Sequence, residues 1–188
     1  MRITSGTLKG RKLKSPGSLK IRPPLDQLKQ SVFNILAGEI EGKIVLDLFS
    51  GTGSFGLEAL SRGAARVVFV DSSYKACRLL KENLARLKAE GSVQVICGKV
   101  NHTIEELVRQ DFKFDLVFVD PPFPANQCQK TLDKIAESGI LSQVSLVILH
   151  HHFKEGVESH SGELEMVRQR KFGDNLVSIF LNRRKEKK

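Results

Sequence analysis

The chain has 188 residues, of which 40% are hydrophobic and 27% charged, with a formal net charge of +9. That is enough for one domain with a full core and too little for two sizeable ones. No apolar run is long enough to span a bilayer, and the basic N-terminus lacks the apolar segment of a signal peptide, so no membrane role is expected.

The charge is unevenly placed. Met1 to Arg22 holds seven Lys or Arg and no acid, and residues 183–188 hold five basic residues against Glu186, leaving the middle close to neutral. Two basic ends on a neutral body are the electrostatic pattern of a protein that meets a polyanion. Arg2 to Lys14 alternates loosely, with Ser5-Gly6 and Lys9-Gly10 as turn candidates, which predicts a small β-hairpin arm. Pro16, Gly17, Pro23 and Pro24 bracket a loop expected to keep this arm off the core. A helix is predicted from near Asp26, with Leu28, Val32, Ile35 and Leu36 on its buried face and Lys29, Gln30 and Asn34 on the other.

From Ile44 the chain reads as a buried parallel strand running into Asp47. Gly51, Gly53 and Gly56 follow at G-x-G-x-x-G spacing, and then comes a short apolar-faced helix, Phe55 to Leu60, stopped by Gly63. Strand, glycine turn and helix in that order make the first half of a nucleotide-binding βαβ unit. The next strand, Arg66 to Val70, ends at Asp71, where an acidic side chain would take the two hydroxyls of a ribose. Asp47, four residues before the first glycine, would repel a pyrophosphate but suits a ligand carrying an ammonium and a sulfonium. The electrostatics therefore lean towards S-adenosylmethionine and away from a dinucleotide. The alternative is that Asp47 is hydrogen-bonded to the turn itself.

Ser72 or Ser73 can cap a long helix whose stripe is Ala76, Leu79, Leu80, Leu84 and Leu87, ended by Gly91. Val93 to Cys97 reads as a third strand, Ile104, Leu107 and Val108 as a helix face, and Phe114 to Val119 as a fourth strand. After it come Asp120-Pro121-Pro122-Phe123, a helix marked by Cys128, Thr131, Leu132, Ile135 and Ala136, and a fifth strand over Val144 to Leu149. Leu164 to Val167 and Leu176 to Leu181, separated by Gly173-Asp174-Asn175, look like an antiparallel hairpin. Alternating strands and helices predict a mostly parallel sheet with helices on both faces. Cys77, Cys97 and Cys128 are odd in number and widely spaced, which argues for free thiols in a reducing, cytoplasmic compartment and against a zinc site.

Ligands of open α/β sheets bind beyond the carboxyl ends of the strands, so Asp47, Asp71 and Asp120 should share one rim. The two prolines of Asp120-Pro121-Pro122-Phe123 fix two φ angles and remove two donors, leaving carbonyls free to point into a site. Asp120 supplies an acceptor, and Phe123 a flat face on which a base can stack. An exocyclic amino group gripped in this way is oriented for attack on a sulfonium methyl.

The combination resembles the amino-methyltransferases that act on nucleobases, and more narrowly the bacterial RsmD-type 16S ribosomal RNA (guanine-N2) methyltransferase family. The resemblance runs through Arg2-Ile3, Gly10-Arg11-Lys12-Leu13, Arg22-Pro23 with Asp26, Phe33-Asn34-Ile35-Leu36, Leu46-Asp47-Leu48-Phe49-Ser50-Gly51-Thr52-Gly53 and Val119-Asp120-Pro121-Pro122-Phe123. It implies a doubly wound, Rossmann-like class I methyltransferase using S-adenosylmethionine, with an antiparallel C-terminal strand. Asp47, Phe49, Gly51 and Gly53 would lie on the cofactor's methionine side and Asp71 on its ribose. Asp120, Pro121 and Phe123 would grip the guanine, and Arg2, Lys9, Arg11, Lys12 and Arg22 would lie on ribosomal RNA. The expected organisation is one domain over 1–188, with a basic arm at 1–22, the core at 25–182 and a basic tail at 183–188. It is expected to act as a monomer on the 30S subunit or a late assembly intermediate.

Four positions depart from the family pattern: Gln30 for a Glu, Lys99 near an expected adenine-binding acid or amide, His150 for an acid, and Phe172-Gly173-Asp174-Asn175 for Tyr-Gly-x-Thr. None is expected to touch the methyl-transfer motif. The run His150-His151-His152 is not expected to hold a metal, because neighbours on a strand point to opposite faces. The rival functions are an adenine-N6 or DNA amino-methyltransferase and a non-catalytic rRNA-binding assembly factor.

Overall fold

The computed structural model describes residues 1–15, 24–122 and 127–183. Strands β1 (Ile44–Leu48), β2 (Arg66–Asp71), β3 (Val93–Cys97), β4 (Phe114–Val119), β5 (Leu141–His152), β6 (His160–Ser161), β7 (Leu164–Phe172) and β8 (Asn175–Arg183) form one mixed sheet. Its order is β3-β2-β1-β4-β5-β8-β7-β6. The first five of these are parallel, and β8 joins β5 antiparallel. The helices are α1 (Pro24–Ile35), α2 (Ser54–Ser61), α3 (Tyr74–Leu87), α4 (Val100–Arg109) and α5 (Cys128–Ser138).

The sheet is covered on both faces, which is why its central strands read as unbroken apolar runs. Val45, Val67, Phe69 and Phe118 pack under α1, α2 and α3, while Leu46, Val68, Val117 and Val119 pack under α4 and α5. Phe33, Phe55 and Phe118 pack as a trio, with Phe55 and Phe118 ring centres 5.2 Å apart, and this ties α1 and α2 to β4 just below its carboxyl end. Ser73 caps α3 by accepting the Ala76 N–H. The three cysteines are free thiols.

Several expectations need correction. The N-terminal arm carries an isolated antiparallel bridge, Arg2–Lys12, rather than paired strands, and it does not stand off the core. Ile3 and Leu13 are buried in the main cluster, and the Thr4 and Ser5 N–H groups donate to the Glu58 carboxylate of α2. Lys29, placed on the polar side of α1 by its period, is only 2% exposed because the arm covers that side. Its Nζ donates to the Arg2 carbonyl at 2.7 Å and pairs with Glu58 at 3.2 Å. The long helix α3 ends not at Gly91 but at Lys88, which takes the left-handed conformation. Strand β5 is longer than its apolar stretch suggests and includes the histidine run. The loop around Pro16 and Pro23 and the basic tail after Arg183 lie outside the described residues.

Candidate active site

The strand order reverses direction between β1 and β4, and a crevice opens at such a switch point beyond the carboxyl ends of the strands. A cavity of about 630 Å³ lies there, lined by Asp47, Phe49, Gly51, Ser73, Lys75 and Asp120 among others. Asp47 sits within β1, and Asp120 directly follows β4, whose Val119 is paired with Leu48. Asp71 closes β2. The three acids therefore do share one rim, close enough that Asp120 and Asp71 both push the Asp47 carboxyl upward.

Asp47 is buried, and its Oδ2 accepts the Gly56 N–H at 2.8 Å, satisfying a donor in the first turn of α2. The hydrogen bond to the turn and the place on the cavity wall thus coexist. Burial is the main reason its pKa stands well above the ordinary 3.8; the Gly56 bond opposes this, and the two neighbouring acids reinforce it. Asp71 braces the glycine loop. Its two oxygens accept the Gly51 and Ser73 N–H groups, each at 2.8 Å. A carboxylate oxygen has a second lone pair, so Asp71 retains capacity to accept.

The three glycines differ in their surroundings. Gly51 has φ +54, and a Cβ there would meet nothing closer than the Phe49 carbonyl oxygen, so its backbone lies open to the cavity. At Gly53 (φ +80) a Cβ would overlap Leu80, and at Gly56 it would overlap the Phe69 ring, so both positions are closely packed. Phe49 has φ +59, an uncommon conformation for an aromatic residue, costing about 1–3 kcal/mol where a fold enforces it. It turns the chain from β1 into the loop. The buried Ser50 hydroxyl, also on the cavity wall, has no hydrogen-bond partner among the described residues.

Asp120 is 30% exposed, Pro121 is buried and Pro122 exposed. Phe123 lies outside the described residues, as does Arg22. Gly53 and Asp71 do not line the cavity themselves. Arg2, Lys9, Arg11 and Lys12 are exposed on the arm, whose Met1 reaches the cavity wall. Lys99 caps α4 with its backbone, and its side chain is exposed.

The expectation that no departure touches the methyl-transfer motif fails at His150. Val119 pairs with Leu149, which sets the next residues, Asp120 and His150, side by side, and His150 Nδ1 lies 2.6 Å from Asp120 Oδ1. A signal was available, since His150 directly follows the predicted fifth strand on the same rim. His151 turns to the Ser178 hydroxyl instead. Sequence reasoning also passed over Lys75 and Arg78, exposed residues of α3 that flank the cavity.

A family model described as "Conserved hypothetical protein 95" matches residues 1–181. The chain is 32% identical over 180 residues to Ribosomal RNA small subunit methyltransferase D of Escherichia coli (strain K12), covering 96% of this chain and 89% of that protein. Among solved structures, hypothetical protein TTHA0928 of Thermus thermophilus is similar at TM-score 0.81 and 27% identity, covering 98% of this chain and 99% of that one. The magnesium protoporphyrin IX methyltransferase of Synechocystis PCC 6803, solved with bound SAM, shares the fold at TM-score 0.66 and 17% identity, covering 89% and 86%.

Proposed function

From the premise that this chain belongs to the conserved hypothetical protein 95 family, that of the RsmD-type rRNA methyltransferases, we propose that it methylates ribosomal RNA using S-adenosylmethionine. The finer reading is transfer to the exocyclic N2 amine of a guanine in small-subunit RNA, by one domain acting as a monomer on the 30S subunit or a late assembly intermediate. The observation that carries it is the meeting of Asp47, Gly51 and Asp120 on one cavity at the switch point of the sheet.

The cavity residues fit this cofactor. Gly51 offers backbone with open space beside it, and Ser50 a buried hydroxyl with no hydrogen-bond partner among the described residues. Asp47, Phe49 and the glycine loop would hold the methionine end, with Asp71 near the ribose. Once bound, the cofactor supplies a methyl group on a sulfonium, whose C–S electrons stay on sulfur as nitrogen's lone pair forms the new bond. Asp120 accepts the amine N–H and orients that lone pair; Pro121 presents a carbonyl, and Phe123 is assigned the stacking face. The arm, with Arg2, Lys9, Arg11, Lys12 and Arg22, lies on phosphates.

The test is incubation of the protein with methyl-labelled S-adenosylmethionine and unmethylated 30S particles, followed by nucleoside analysis. Label is expected in N2-methylguanosine; label in N6-methyladenine, or none, rejects the finer reading. Asp120→Ala is expected to bind the donor in calorimetry while turnover falls by about a hundredfold or more. Unchanged turnover would remove Asp120 from its role.

A further inference from the structure

We infer that His150 is a positioning residue for the proposed transfer: its imidazole holds one oxygen of Asp120, leaving the other to meet the target amine. The inference rests on the reading of Asp120 given above and names a partner in that site.

A carboxylate can only accept hydrogen bonds, so His150 Nδ1 carries the hydrogen and donates it to Asp120 Oδ1 at 2.6 Å. The two side chains face different surroundings. His150 is 9% exposed at its side chain and shares a recess of about 10 Å³ with Leu28 and Val32 of α1, Phe55 of α2 and Val177 of β8. These apolar walls fix the ring, and their low polarity strengthens the bond it makes. Asp120 touches that recess on one side and lines the large cavity on the other. The dyad thus joins a buried interior group to a partly exposed acceptor.

The consequence is geometric. A carboxylate held at one oxygen is restrained in its rotation, and a misplacement of about 1 Å in a reacting group can cost a hundredfold in rate. The nitrogen that gains a methyl group must also shed one proton, and the pair from that N–H bond stays on nitrogen. The free Asp120 oxygen takes the proton. His150 keeps the remaining oxygen hydrogen-bonded throughout. Other titratable groups near the dyad are Asp47 and Cys128 on the Asp120 side and His151 beside His150. Among the described residues, His150 is the basic side chain paired with Asp120.

The experiment compares the wild type with His150→Leu, which fills the recess but cannot donate, and His150→Asn, whose amide nitrogen can stand near the Nδ1 position. Thermal denaturation and calorimetry with S-adenosylmethionine establish that each variant is folded and binds the donor. With 30S particles as substrate, His150→Leu is expected to lower kcat about tenfold or more with KM for the donor little changed, and His150→Asn to recover most of the loss. A purely structural role would move stability and KM instead. Wild-type turnover in a folded His150→Leu variant, or no recovery in a folded His150→Asn variant, overturns the proposal. A readout independent of activity is the proton spectrum: a downfield Nδ1 proton is expected in the wild type and absent in Asp120→Ala. If the wild type itself transfers no methyl group, the functional reading fails, while the presence or absence of that resonance still decides the pairing on its own.

Discussion

Asp47 is buried on the cavity wall, accepts the Gly56 N–H and shares its rim with Asp71 and Asp120. Burial above all raises its pKa well above 3.8. A carboxyl whose folded pKa exceeds its unfolded one stabilises the fold fully below the unfolded value, and that contribution is lost as pH rises through the folded value. Burial therefore disfavours the ionised form of Asp47, and a cation bound beside it favours that form. Asp47→Asn keeps an oxygen for Gly56, so its unfolding temperature is expected to exceed that of the wild type at pH 7, with the gain vanishing at a pH below the ordinary carboxyl value of 3.8. Calorimetry should show weaker binding of S-adenosylmethionine by the same variant. Equal stability at both pH values would contradict the assignment. The strand and the spacing to the glycines made Asp47 visible in the sequence. A bond to the turn stood there only as an alternative, and its partner, Gly56 in the first turn of α2, lies nine residues away where the sequence does not reveal which side chain meets it.

At the scale of elements, α2 is the hub. Its Gly56 abuts β2 so closely that a Cβ would overlap the Phe69 ring and Val67. Gly56→Ala is expected to cost about 1–3 kcal/mol through overpacking, read as a lower denaturant midpoint. Two residues along, the Glu58 carboxylate takes Lys29 from α1, Arg62 from the end of its own helix and Thr4 from the arm. Burial pushes the Glu58 pKa up, but the Thr4 bonds, Lys29 and Arg62 outweigh it and hold it below 4.5. The sign is opposite to that of Asp47: this stabilisation is present above pH 4.5 and lost as pH falls through the lowered value. Lys29→Met leaves a buried acid short of a partner and the Arg2 carbonyl without its donor, so a loss of about 3 kcal/mol is expected. Limited proteolysis should then cut the arm sooner in the variant than in the wild type. An arm equally resistant in both would show that Lys29 does not clamp it. The helical period assigned Lys29 to solvent because period reports only a helix's own faces, not what another segment lays over them.

For the whole molecule, the governing feature is charge separated from chemistry. The acids gather at the switch point of the sheet, and exposed Arg2, Lys9, Arg11 and Lys12 stand on an arm docked beside α2 and α3. Phosphate contacts release counterions, so affinity for ribosomal RNA should fall linearly with salt on logarithmic axes. Replacing Arg11 and Lys12 by Ala is expected to make that slope shallower by about 1 to 2 while leaving donor binding intact. An unchanged slope would take the arm off the RNA. The sequence by itself determined the alternating order of elements, the strand–glycine turn–helix unit and the three acids in or beside the carboxyl ends of strands, because each is written in residues close together along the chain. The tertiary structure decided that Gly53 and Gly56 are closely packed, that the arm docks on the core, and that Asp120 meets His150. Those contacts join residues far apart along the chain, and they follow from strand register and helix placement, which no local period encodes.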